Sequence, residues 1–270
     1  MTFTSRLKLC LIALLLASTA RAAPAPAPDA AKPVFLWSRY FNAKGENRYM
    51  PDGNYRDAMD RLRADFDVRI NSDPLNAETL KGVSVVLISN PNDKASKTNP
   101  PPHHMSDEDV TELTRFVKAG GGLIVMGNQE GHNVEIKDFN KLLSEFGMTC
   151  VNNYTDAKQV IIPKDAPILG GLRWAYYTGN QVIIEPNNAS HARSLVENDP
   201  DVKALGGPRN PAGTLLAIAE PGMGRVVVAT DAGWITNDAM SGKGIGKVAI
   251  KDQDNLEIMV RLTKWAAGVK

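Results

Sequence analysis

Gly120-Gly121-Gly122-Leu123-Ile124-Val125-Met126-Gly127-Asn128-Gln129-Glu130-Gly131-His132-Asn133-Val134-Glu135 is the stretch on which the fold turns. Leu123 to Met126 offer no polar face to solvent, so they read as a strand covered on both sides, as in the middle of a parallel sheet. A polar loop follows at once, with six polar side chains among the nine residues from Gly127 to Glu135. Working outward, Ser84 to Ser89 is a second continuous apolar run, ending abruptly at Asn90-Pro91. Val34-Phe35-Leu36-Trp37 and Val68 to Ile70 are shorter strands of the same kind.

Helices with clear limits lie between these strands. Tyr55, Met59, Leu62 and Phe66 recur at helical spacing. Ser106, with Asp109 three residues on and Asp107 and Glu108 in the first turn, marks a helix start; Val110, Leu113, Phe116 and Val117 form its apolar face and Gly120 stops it. A helix from Asp138 carries Phe139, Leu142, Leu143 and Phe146 before Gly147, and a last one runs from Asp254 through Met259 to Trp265 and Gly268. Four β-α steps in succession are expected, and right-handed crossovers turn them into an α/β fold with a doubly wound, mostly parallel sheet flanked by helices. The second half changes to short strands (Val160 to Ile162, Val182 to Glu185, Ser194 to Glu197), and Pro221-Gly222-Met223-Gly224 signals a hairpin between Thr214 to Ala219 and Arg225 to Thr230. An antiparallel extension in the C-terminal half is the expectation.

The N-terminus reads as a secretory signal: Arg6 and Lys8 precede the apolar run Leu9 to Ala17, and Ala20-Arg21-Ala22 supplies a small-x-small cleavage site. The expected division is a signal over 1–22, an Ala/Pro-rich linker over 23–33 and one domain over 34–270, working in the periplasm or outside the cell. The apolar run is too short to span a bilayer, so no membrane insertion is expected once the signal is removed. Removing Arg6, Lys8 and Arg21 leaves 28 basic against 30 acidic residues, a balance that argues against nucleic acid as a partner. Only Cys150 remains after cleavage, so no internal disulfide can form; its place in the run Met148 to Val151 reads as a buried structural thiol.

Ligands of open α/β sheets bind beyond the carboxyl ends of the strands. The loops there hold Arg39, Tyr40, Asn42, Glu46, Arg48 and Tyr49 after the first strand, and Asn90, Asn92 and Asp93 after the third, with His103 and His104 further along. Asn128 to Glu135 follow the fourth strand, and Asp231 to Trp234 with Asn237 and Asp238 follow the hairpin. Gln129 and Glu130 are poor turn formers, so ligand contact explains their presence better than turn chemistry does. Glu130, His132, Glu135, Asp231 and the two adjacent histidines are acceptable metal ligands, yet no compact metal motif is present and no cofactor is indicated. Gly242-Lys243-Gly244-Ile245-Gly246-Lys247 lacks the strand-loop-helix setting and the Lys-Ser/Thr ending of a phosphate loop, and reads as a lid or linker.

The order of these pieces, together with Pro167-Ile168-Leu169-Gly170-Gly171-Leu172 and Gly224-Arg225-Val226-Val227-Val228 to Asp231, resembles the class I glutamine amidotransferase-like superfamily. Within it, the chain is similar to exported proteins related to the trehalose-utilisation-like and gliding/intraflagellar-transport domains. The resemblance implies a flavodoxin-like sheet and a site in the turn after the Gly-led strand. True amidotransferases place a nucleophilic Cys in that turn. Here Asn128 or Gln129 stands there, and neither amide can attack a carbonyl, so glutamine hydrolysis is not expected.

The expected function is binding of a polar small molecule, a sugar or glycan fragment, by Asn42, Glu46, Arg48, Tyr49, Asn90, Asn128, Gln129, Asn133 and Trp234. Amides and carboxylates beside exposed aromatics (Tyr40, Tyr49, Trp234) suit hydroxyl-rich ligands, and one related branch is associated with sugar utilisation. The alternatives are a metal- or carboxylate-dependent hydrolase, with Glu130 or Asp231 as base and His132 as acid or ligand, and a non-catalytic interaction module of an envelope assembly. The 128–135 loop, Asp231 and the Asn42 to Tyr49 loop should wall one pocket. Ala at Gln129, Glu130 or His132 should then barely alter stability.

Overall fold

The computed structural model describes residues 31–42, 48–91, 103–130, 134–207 and 209–269. The expected signal, most of the linker, Glu46, Asn92, Asp93, His132 and Asn133 lie outside these residues. Five strands lie parallel in the order β2-β1-β3-β4-β11, where β1 is Val34–Ser38, β2 Asp67–Asn71, β3 Val83–Ser89, β4 Gly122–Met126 and β11 Arg225–Ala229. The first four positions repeat the flavodoxin-like order, with its switch point between β1 and β3.

The two faces of this sheet sort the apolar residues by the two-residue period of a strand. Ile124 and Met126 of β4 and Val85 and Leu87 of β3 pack with Met59 and Leu62 of α1 (Arg56–Leu62) and Ile258, Met259 and Leu262 of α5 (Asn255–Ala267). Leu123 and Val125, Val86 and Ile88 pack on the opposite face with Leu113 and Val117 of α2 (Asp107–Lys118) and Phe139, Leu142 and Leu143 of α3 (Ile136–Ser144). Every residue of β4 is buried, as its uninterrupted apolar run requires. The glycines leading it are fitted to close packing: a Cβ on Gly122 would lie 2.5 Å from the Ala266 carbonyl oxygen, and one on Gly121 would enter the Phe116 ring. The capping box of α2 forms as read, with Ser106 Oγ accepting from Asp109 N–H at 3.1 Å and the Asp109 carboxylate accepting from Ser106 N–H at 2.9 Å.

One of the four expected β-α steps is absent, because residues 72–82 between β2 and β3 form turns instead of a helix. The antiparallel extension is present. The hairpin of β10 (Gly213–Ala219) and β11 pairs Ala219 with Val226, and β10 also pairs with β8 (Gly179–Ile184) and β9 (Arg193–Asn198). β8 pairs in turn with β5 (Met148–Thr155), and β6 (Lys158–Ile161) with β7 (Arg173–Tyr176) makes a separate two-stranded sheet. A four-residue helix, α4 (Asn237–Met240), is capped by Thr236 and lies beside the carboxyl ends of the parallel strands. No described helix is long and apolar enough to cross a membrane.

Candidate functional site

The loops leaving β3, β4 and β11 are tied together around Asn128. Asn90 adopts a left-handed backbone (φ 51°), its N–H donates to the Met126 carbonyl, and its Oδ1 accepts from Asn128 N–H at 2.9 Å. The side chain of Asn128 spans the other loops. Its Oδ1 accepts from Ala232 N–H at 3.0 Å, and its Nδ2 donates to Tyr49 Oη at 2.7 Å. An N–H can only donate, so this pairing fixes which way the amide is turned. The Asn128 carbonyl accepts from Asn180 Nδ2 at 2.6 Å, bringing in the start of β8. β8 comes this close because residue 179 is glycine: a Cβ there would overlap the Thr230 carbonyl.

Asp231 is the second anchor. It is buried, with Oδ2 accepting from Tyr177 N–H at 2.8 Å and Oδ1 from Gly233 N–H at 2.6 Å. Burial pushes its carboxyl up from the usual carboxylate range to about 7, outweighing the backbone donors that favour the anion. Tyr55 Oη closes the other side, bonded to the Ala232 carbonyl and 3.2 Å from Ser89 Oγ.

A cleft of about 390 Å³ opens above these anchors. Asn128 and Asp231 line it together with Arg48, Tyr49, Asn54, Tyr177 and Thr178, and Thr236, Asn237 and Asp238 at the start of α4. Gly244, Ile245 and Gly246 form part of the rim, so the glycine-rich segment from Gly242 to Lys247 borders the cleft, joined by a bridge between Ile245 and Val248. Small-ligand sites have volumes of about 300–1,000 Å³, and this cleft falls in that range.

Six of the polar residues singled out in the sequence therefore meet in one place: Arg48, Tyr49, Asn128, Asp231, Asn237 and Asp238. Others do not. Gln129 and Glu130 turn away and line a separate depression of about 590 Å³ with Asn152, Asn153, Tyr154, Arg209, Asn210 and Pro211. Glu130 has a structural task there, its carboxylate accepting from Ile136 N–H at 2.8 Å at the start of α3. Asn42 lies at the switch point with its Nδ2 on the Ser89 carbonyl at 3.0 Å, and Asn90 is buried among its backbone bonds.

The expectation of exposed aromatics is corrected for all three residues. Trp234 is 1% exposed because its indole packs edge-on against Trp174, with ring centroids 5.7 Å apart. Tyr49 is buried under Arg48 by its bond to Asn128, and Tyr40 stacks on His103 at 4.1 Å. The candidate metal ligands are dispersed. His104 Nδ1 lies 2.7 Å from Asp138 Oδ2, His103 stays on Tyr40, and Glu130 and Asp231 line different hollows. Among the described residues no three His, Cys, Asp or Glu side chains come together as a metal site. Cys150 is buried in β5, its backbone clamped by Asn140 at 2.7 and 2.9 Å, and burial pushes its thiol up to about 12. A thiol so held is protonated at neutral pH and is no nucleophile.

Reasoning from sequence missed Tyr177 and Thr178, in the turn between β7 and β8, and Asn180 at the start of β8. The signal available was Tyr176-Tyr177-Thr178-Gly179-Asn180, a glycine flanked by polar groups between two short apolar runs.

Residues 40–162 match the IFT52 GIFT domain family. The intraflagellar transport protein 52 homolog of Mus musculus is 25% identical over 165 residues, 57% of this chain and 36% of that protein. The chain thus spans about a third of the length of this curated relative. Among solved structures, the mmIFT52 N-terminal domain superposes with a TM-score of 0.62 at 16% identity, covering 87% of this chain and 97% of that one. A ThuA-like protein from Bacteroides uniformis ATCC 8492 gives 0.56 at 15% identity, over 90% and 95% of the two chains. The expected link to intraflagellar-transport domains is therefore present, and the ThuA-like neighbour fits an amidotransferase-like fold. Identities this low speak for the fold alone.

Proposed function

We propose that this chain is an exported binding domain, without glutaminase activity, whose cleft takes a hydroxyl-rich small molecule such as a sugar. One observation carries the reading. The turn after β4, where an amidotransferase-like fold would need its nucleophile, is occupied by Asn128, whose side chain is spent on Ala232 and Tyr49. The cleft above it presents a guanidinium (Arg48), amides (Asn54, Asn237), hydroxyls (Thr178, Thr236) and an exposed carboxylate (Asp238), donors and acceptors that match a polyol better than an apolar ligand. Export rests on the pattern Arg6, Lys8, Leu9 to Ala17 and Ala20-Arg21-Ala22.

A second reading, a hydrolase using Asp231 as general acid, is favoured by its carboxyl standing near 7 at the edge of the cleft. The backbone donors of Tyr177, Gly233 and Thr178 on Asp231 oppose it, since a proton donor must turn toward its substrate. Thermal-shift titration with glucose, N-acetylglucosamine and trehalose, followed by chromatography of the sugars, separates the readings. A saturable rise in Tm with intact sugar supports binding. Cleaved trehalose supports the hydrolase, and no shift with any of the three counts against both.

A further inference from the structure

Among the described residues, one edge strand of the large sheet has no partner on its outer side. Leu216 of β10 sits between Ala229 of β11 and Val196 of β9, and Thr214 sits between Val182 of β8 and Glu197 of β9. β9 is therefore alone on its side of β10, and among the described residues no strand pairs with its outer edge. The small sheet has an open edge too. β7 is covered by the start of α5, where Asp254 N–H donates to the Arg173 carbonyl and Asn255 exchanges two hydrogen bonds with the backbone of Ala175. Among the described residues β6 has no strand partner but β7.

Both open edges border one groove of about 770 Å³. All four residues of β6 line it, as do four consecutive residues of β9, Ser194 to Glu197. Side chains of a strand alternate between its faces, so a face lends every second residue to a groove, whereas consecutive residues mean that the hydrogen-bonding edge is presented. Seven large apolar side chains are exposed among the described residues, and three of them stand on this groove: Ile161 (72%), Val202 (42%) and Leu205 (58%). Ser194 Oγ is buried there with no hydrogen-bond partner among the described residues.

We propose that this groove receives an extended peptide of a partner protein, inserted as a strand between β6 and β9 with apolar side chains at alternate positions. The size agrees. At a rise of about 3.3 Å, a strand spacing of about 4.8 Å and a sheet thickness of about 10 Å, one strand residue fills about 160 Å³, so the groove holds about five. A hydrocarbon ligand fits less well, because it would leave the edge N–H and C=O groups and Ser194 Oγ without partners.

The test is fluorescence anisotropy of the whole protein with a labelled, end-blocked octapeptide alternating valine and threonine, and with the same peptide N-methylated at alternate residues. Ile161→Lys and Leu205→Lys alter exposed side chains, so both variants should keep the wild-type Tm. The expected result is saturable binding by the plain peptide, weaker by about tenfold or more for each variant and for the N-methylated peptide. Hydrogen exchange should slow in β6 and β9 when the plain peptide binds. Absence of saturation, equal binding of the N-methylated peptide, indifference to both substitutions or protection confined to other strands would each overturn the proposal. Displacement of the plain peptide by laurate with no exchange protection would make the groove a hydrocarbon site. Dimerisation of the protein that Ile161→Lys abolishes would give the groove to a second copy of the chain.

Discussion

Asn128→Ala probes the knot that joins three strand ends. The substitution keeps the backbone bonds to Asn90 and Asn180 but removes both side-chain bonds, the one from Ala232 N–H at 3.0 Å and the one to Tyr49 Oη at 2.7 Å. Asn128 is 2% exposed, so these groups lose a protein partner where water enters poorly. A buried polar group left unsatisfied costs about 1–3 kcal/mol. Asn128 borders the cleft, which lets one of the two recover a water, so the net loss is about 2–4 kcal/mol. For a chain of this length each kcal/mol moves Tm by about 2–4 °C, and a fall of about 5–15 °C is expected. Calorimetry and urea denaturation should agree on it, with an unchanged m-value. The neighbouring Gln129→Ala is the control, since Gln129 Oε1 has no hydrogen-bond partner to lose among the described residues. A loss below about 0.5 kcal/mol for Asn128→Ala, or equal losses for both variants, would refute the claim that Asn128 holds these loops together.

Three further outcomes follow from the same geometry. Asp231 binds its proton more tightly folded than unfolded, with a folded value of about 7, so its contribution is full below about pH 4 and is lost as pH rises through about 7; Asp231→Asn should flatten that part of a urea-stability profile, and an unchanged slope would contradict the assignment. Glu130→Ala removes the acceptor of Ile136 N–H and should cost about 0.5–2 kcal/mol by chemical denaturation, where the sequence alone suggested almost nothing; a neutral variant would show that α3 does not depend on this bond. Cys150 should resist a thiol reagent in the native protein and react once urea unfolds it, and rapid native labelling would reopen a thiol mechanism.

The parallel core was legible because local and long-range demands coincide there. Leu123 to Met126 alternate between the α1/α5 and α2/α3 faces, so both sets had to be apolar. Ser106 with Asp109, and Pro221 to Gly224, carry their geometry in adjacent residues. The site was legible only in part. Its position beyond β4 and β11 followed from topology, but the direction each loop residue takes depends on which distant strand arrives beside it. β8 reaches the Asn128 carbonyl, so that residue is held at one cleft while Gln129 and Glu130 turn to another. Trp234 was misplaced for a similar reason: its burial depends on Trp174, sixty residues earlier, on a strand too short to stand out by periodicity.

The most direct test of the binding account is a crystal structure of the protein grown with saturating trehalose. The account predicts intact sugar in the cleft above Asn128 and Asp231, within hydrogen-bond distance of Arg48, Asn237 or Asp238. An empty cleft, sugar bound only at another surface, or a cleaved sugar in the cleft would contradict it.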